Sequence, residues 1–138
     1  MTRSIARSVG LLLLVTTTAA AAESTEAAGV QAAEAWLKLI DAGRYGASWD
    51  EAAPMFRDQV SRAEWEKMAG AARRPLGKVL SRKLSAKQLA HTLPGAPDGT
   101  YVVLVYETRF EHKERASENV TVMLDPQGQF RGAGYFIR

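Results

Sequence analysis

Few residues in this sequence could do chemistry, and Asp41 is the first of them, with Tyr45 and Trp49 close behind it. A carboxyl group held inside an apolar pocket has its pKa raised and can serve as a base near neutral pH. The same residues have a plainer reading. Asp41-Ala42-Gly43 makes a polar helix end, and aromatic residues that follow such an end usually pack the helix-to-helix corner. Tyr106 lies on the core face of a strand, where its hydroxyl either points into a pocket or is held by a backbone partner. We expect the partner, because buried tyrosine hydroxyls usually find one. Asp41, Tyr45, Trp49 and Tyr106 are therefore ligand-binding candidates, and no catalytic residue is assigned.

Other chemistries lack their residues. His91 and His112 are the only histidines, neither has a partner at ligand spacing, and there is no cysteine, so no metal site is expected. Gly132-x-Gly134 lacks the third glycine and following helix of a phosphate loop, and no Gly-x-Ser-x-Gly elbow occurs. No cofactor is expected. Arg73-Arg74 and Arg82-Lys83 could bind an anion or an acidic partner, but such pairs are more often solvated surface.

Composition narrows the setting. The chain has 138 residues, 46% of them hydrophobic and 24% charged, enough for one domain with its own core. Arg3 and Arg7, the apolar run from Val9 to Val15, and Ala20-Ala21-Ala22 before Glu23 have the layout of a secretory signal peptide. The run is too short for a permanent anchor. We expect residues 1–22 to be removed and residues 23–138 to form a single periplasmic or secreted domain. The net charge of +3 for the full sequence includes Arg3 and Arg7; without them sixteen basic residues face fifteen acidic ones, a net charge of +1. Attraction to nucleic acid or to anionic lipid is not supported by so small an excess. With no disulfide available, stability must come from an ordinary core.

The elements that position these residues can be read in order. A first helix is expected over about Ala27 to Ala42, with Val30, Ala33, Leu37 and Ile40 as its stripe and Trp36 beside it. A short helix follows from about Trp49 and restarts at Pro54. Ser61-Arg62-Ala63-Glu64 is a capping box for a third helix ending near Arg73 before Pro75, with Val60 and Trp65 placed as a hydrophobic staple. Lys78 to Leu93 is expected to be a long, bent strand. Pro94 to Gly99 is a loop.

Thr100 to Glu111 is the central strand, with Val102, Leu104, Tyr106, Thr108 and Phe110 on its core face. On its other face Glu107, Arg109 and Glu111 form a solvent-facing charged row. The charged segment Glu111 to Ser117 reads as a connection, and Asn119 to Asp125 as the next strand. Asp125-Pro126-Gln127-Gly128 is a turn. A left-handed Gly128 in a bulge sets Leu124 opposite Phe130, Val122 opposite Gly132 and Val120 opposite Gly134. The fold class is α+β: about three N-terminal helices packed on a curved, cone-like antiparallel sheet of about four strands.

Ala35-Trp36-Leu37, Asp41-x-Gly43-x-Tyr45-x-x-x-Trp49, Arg74-Pro75-Leu76-Gly77, Leu93-Pro94-Gly95-x-Pro97-x-Gly99-x-Tyr101 and Gly134-Tyr135-Phe136-Ile137 resemble the bacterial secreted family known as domain of unknown function 4019. The layout is more loosely similar to nuclear-transport-factor-2-like (cystatin-like) cone folds. The family resemblance implies a small extracytoplasmic protein and carries no catalytic residues across. The leading expectation is a non-catalytic binding or interaction module, its partner an unknown small molecule or protein. The alternative is a small cone-fold enzyme with Asp41 as base, which requires an open pocket rather than one filled by Trp36, Trp49, Trp65, Phe110 and Phe136. A homodimer through the open sheet face, at Val103 and Val105, is a third expectation.

Overall fold

A computed structural model describes residues 14–138. Residues 1–13, with the basic start and most of the apolar run of the expected signal peptide, lie outside the described residues. The helices are α1 (Leu14–Asp41), α2 (Tyr45–Asp50), α3 (Pro54–Gln59) and α4 (Arg62–Arg73), the last running into a 3₁₀ turn over Arg74–Leu76. The strands are β1 (Val79–Ala90), β2 (Tyr101–Phe110), β3 (Lys113–Leu124) and β4 (Phe130–Ile137). They form one antiparallel sheet in the order β1-β2-β3-β4, not closed into a barrel, with helices on one face. This is the expected α+β arrangement. No helix among the described residues is long and apolar enough to cross a membrane.

Helix α1 begins well before Ala27 because the alanine-rich stretch ahead of it is strongly helix-favouring. Its buried stripe is Ala33, Trp36, Leu37 and Ile40. The capping box of α4 is closed: Glu64 N–H donates to Ser61 Oγ at 3.2 Å and Ser61 N–H donates to the Glu64 carboxylate at 2.9 Å. Strand β1 is bent as expected, with register shifts at Leu80 and Ser85. The segment expected to connect the second and third strands is mostly strand instead. Only Glu111 and His112 turn the chain, and Lys113 onward pairs with β2. Charge did not prevent this, because Glu114 and Arg115 are exposed while Ala116 alone turns inward.

The hairpin from β3 to β4 has its expected turn. Gly128 has φ 81°, and the Asp125 carboxylate accepts the N–H groups of Gln127 and Gln129 at 2.9 Å each and Arg131 Nε at 2.7 Å. Leu124 faces Phe130 and Val122 faces Gly132, but Val120 faces Tyr135 rather than Gly134. A second bulge, at Ala133, accounts for the difference and brings Tyr135 onto the helix-facing side.

Tryptophans fill the space between the layers. The Trp36 and Trp65 rings stack with centroids 6.1 Å apart, and Phe56 meets both rings edge-on at 5.8 and 4.9 Å. The indole N–H groups are also used: Trp36 donates to Ser48 O at 2.7 Å, Trp65 to Ser48 Oγ at 2.9 Å and Trp49 to Val60 O at 2.8 Å. Phe136, expected to help fill this space, is 49% exposed on the opposite face, since the bulge leaves it out of phase with Tyr135.

Trp36 lies so close to β4 that a β-carbon at Gly132 would come within 2.3 Å of its ring. The stacked ring cannot swing away, so Gly132→Ala is expected to lower stability by about 1–3 kcal/mol in urea denaturation. At Gly134 an added β-carbon meets only Thr121, at 3.7 Å, so Gly134→Ala should leave the midpoint nearly unchanged.

Candidate functional site

The most chemically organised part of the molecule is a chain of charges under the helix layer. Glu118, on β3, shares the parity of Val120 and Val122 and is fully buried with them. Its carboxylate accepts Arg82 Nε at 2.7 Å and Arg82 Nη2 at 3.1 Å, and the hydroxyls of Thr108 and Tyr135 also donate to it. Arg82, from β1, is registered against Thr108 of β2. Its two Nη atoms continue to Asp41 at 2.7 and 2.9 Å. Asp41 also accepts Arg73 Nη2 at 2.9 Å. Arg73 is 4% exposed, stacks over Phe110 at 5.0 Å, and donates more distantly to Tyr135 at 3.4 Å. Asp41, Arg73, Arg82, Glu118, Thr108 and Tyr135 thus tie two helices to all four strands.

The electrostatics follow from this arrangement. Burial alone would raise the pKa of Asp41, but hydrogen bonds and charge from Arg82 and Arg73 outweigh it and hold the carboxyl below its ordinary value. Burial would lower the pKa of Arg82; Asp41 and Glu118 reverse that and raise it. Burial, with the Glu118 charge next to it, pushes the Tyr135 phenol up. Tyr106 is pushed up to about 12, chiefly by burial.

The four sequence candidates separate in the fold. Asp41 sits in a clamp of two arginines rather than an apolar pocket, a setting that favours its anion and does not suit a raised-pKa base. Tyr45 is buried at the start of α2 beneath the Arg74 guanidinium, 5.8 Å from the ring centroid. Asp41 and Tyr45 line one cleft of about 330 Å³ with Arg73, Arg74, Lys78 and Glu111. Trp49 is away from it, locked to Val60 with Arg57 over its ring at 5.9 Å. Tyr106 is 2% exposed, and its hydroxyl has no hydrogen-bond partner among the described residues. This overturns the expectation of a backbone partner: the side chain stands on the core face of the sheet, away from the in-plane carbonyls of the strands.

Arg73 and Arg82 were expected at a solvated surface and are instead inside. Helical spacing gave the signal for Arg73, four and eight residues beyond the buried Ala69 and Trp65. Strand parity gave it for Arg82 with Leu84, and for Glu118 with Val120.

The sheet's other face is open. Its polar end is a groove lined by Ser81, Lys83, Glu107, Arg109, Glu114, Arg115, Ser117 and Arg138. Lys83 is registered across from Glu107, and Glu107 across from Ser117, which pairs in turn with Arg138. Four cations here face two carboxylates, and among the described residues none of these six side chains closes an ion pair within 4.0 Å. Arg138 lies over the Phe136 ring at 5.1 Å. No three His, Cys, Asp or Glu side chains gather to hold a metal ion among the described residues.

A family model described as "Protein of unknown function (DUF4019)" matches residues 32–135, a span that contains every member of the charge chain. No curated protein matches the sequence.

Removing one partner of a buried ion pair leaves the other uncompensated, so Glu118→Gln is expected to cost about 3 kcal/mol in denaturant titration. The Asp41 pKa is lower folded than unfolded. Its contribution to stability is therefore complete above the unfolded value, about 4, and is lost as pH falls through the lower folded value. Asp41→Asn should reduce stability at neutral pH and flatten the acid side of the stability–pH curve.

Proposed function

We propose a function for this chain, which belongs to that family of proteins of unknown function: a non-catalytic, periplasmic or secreted binding module that holds an acidic protein segment on the polar end of its open sheet face. The observation that carries this reading is the set of unpaired cations Lys83, Arg109, Arg115 and Arg138, gathered in one groove. Arg62, Arg73, Arg82 and Arg131 are ion-paired, and other cations without an ion pair among the described residues, such as Lys38, Arg44, Arg57 and Lys67, lie outside this groove. Charges left free on one patch steer a partner of opposite sign and favour its correct orientation.

Two further features support it. The helix-facing interior is occupied by stacked tryptophans and by a closed charge chain, which argues for engagement at a surface rather than within a cavity. The basic start, apolar run and small-residue site over residues 1–22 support export. The alternative of Asp41 as an enzymatic base has no support in its surroundings, where two guanidinium groups favour the carboxylate.

The test is a titration of the protein with a fluorescent poly-glutamate peptide. Binding is expected to weaken steeply as salt rises, since exposed charges are screened over about 10 Å at 0.1 M salt. Arg109→Glu and Arg115→Glu should each weaken it about tenfold, roughly 1.4 kcal/mol. Lys38→Gln, on the exposed side of α1, should not change it. An affinity that ignores the two reversals, or no binding at low salt, would overturn the reading.

A further inference from the structure

The two edges of the sheet are treated differently. The β1 edge carries Arg82, Lys83 and Lys87 and two bulges, devices that discourage pairing with another strand. The β4 edge carries no charge from Gly132 to Ile137. Its backbone phase is set by Arg138 and Ser117, each donating its N–H to the other's carbonyl at 2.9 Å. In an antiparallel ladder the pairs alternate, so the N–H and C=O groups of Tyr135 and Ile137 turn away from β3. Further back along the strand the edge is already closed, where Ala53 N–H donates to Gly132 O at 2.7 Å. The unprotected length is short and lies at the end of the strand.

A mainly apolar groove runs beside this edge, between α4 and β4, lined by Phe56, Val60, Trp65, Met68, Tyr135 and Phe136, with Gln59 and Glu64 at its polar part. Met68 and Phe136 are among the most exposed large apolar side chains, at 59% and 49%.

We propose that β4 pairs antiparallel with β4 of a second copy, about a two-fold axis through Phe136, making one continuous sheet of two times four strands. The edge is complementary to itself. Tyr135 and Ile137 are two residues apart, so Tyr135 exchanges both backbone hydrogen bonds with the partner's Ile137, and Ile137 does the same with the partner's Tyr135. Phe136 meets its counterpart on the axis, on the open face. The partner's Ile137 side chain, on the helix side, seats in the groove beside Tyr135 and Met68.

Charge selects this mode over stacking of the open faces. Edge pairing brings no like charges opposite each other between Gly134 and Ile137, and it sets Arg138 across from the partner's Gly134. Face-to-face stacking through Val103 and Val105 would instead press the unpaired Lys83, Arg109, Arg115 and Arg138 of both copies together. The proposal does not rest on the acidic-partner reading: the backbone groups of Tyr135 and Ile137 carry the pairing, and the groove cations enter only in disfavouring the stacked alternative.

The chain contains no cysteine, which makes cross-linking specific. Directly opposed residues of a non-hydrogen-bonded antiparallel pair have Cα atoms about 4.5 Å apart, within disulfide reach. Phe136→Cys is expected to form an interchain disulfide on mild oxidation, and Val105→Cys is not. In sedimentation velocity the unmodified protein should associate from the mass of one chain to twice that mass. Ile137→Pro removes an outward N–H that the fold does not use, and should weaken association at least tenfold, about 1.4 kcal/mol, with an unchanged urea midpoint. A protein that stays monomeric at about 0.1 mM, a scale of about 5.5 kcal/mol, would overturn the proposal. Cross-linking at Val105→Cys without cross-linking at Phe136→Cys would overturn it in favour of the face.

Discussion

A carboxylate cannot be left alone in an apolar interior, and Glu118 has no exposure at all. Taking such a charge out of water costs several kcal/mol even after relaxation. The rest of the charge chain answers that cost. Glu118 requires Arg82, whose remaining donors require Asp41, and Asp41 then holds the otherwise buried Arg73. Each member comes from a different element, so the arrangement closes only when α1, α4 and the sheet are in their final places. An apolar residue at position 118 would bury more simply, but it would not specify where the end of α1 or the end of α4 must lie.

The aromatic cluster does the complementary work on the same side of the sheet. Trp36, Trp65 and Phe56 supply area without strict position, and their indole N–H groups restore position by reaching Ser48 and, through Trp49, Val60. Helices α2 and α3 have only six residues each, too short to persist alone. They are held by these side-chain bonds and by Ala53 reaching β4. The close contact of Gly132 with Trp36 then fixes how near the sheet's edge can come. With one face given over to this packing, the other face and the last edge are what the molecule has left to present.

Much of this was legible in the sequence because it rests on local rules. The capping box at Ser61, the turn at Asp125 with a left-handed Gly128, the alternation of Val102 to Phe110 and the bent first strand are all set by nearby residues. What was not legible depends on distant ones. Spacing turns Arg73 and Arg82 inward, but nothing local says that Glu118 and Asp41 will be there to receive them. Glu118 lies 36 positions from Arg82, and Asp41 lies 32 from Arg73. The bulge at Ala133 moved Tyr135 inward and Phe136 outward; Gly132 and Gly134 on either side of it permit a bulge but do not fix its position. Tyr106 was expected to have a partner on frequency alone, and frequency does not see which polar groups the packed layers leave within reach of its hydroxyl.

Helix α1 joins two segments of very different character. From Ala33 to Ile40 it is pressed against the sheet, whereas Glu23 to Ala28 are mostly exposed. Helical hydrogen bonds in this exposed stretch are supported mainly by helix propensity and by the Glu26–Lys87 ion pair. Amide protons there can therefore exchange with solvent through fraying, without any disturbance of the core. Those between Ala33 and Ile40 can exchange only when the layers separate. One continuous helix thus carries amides released by local fraying and amides released only by global unfolding, with Gly29, closed against Val102, near the change from one to the other.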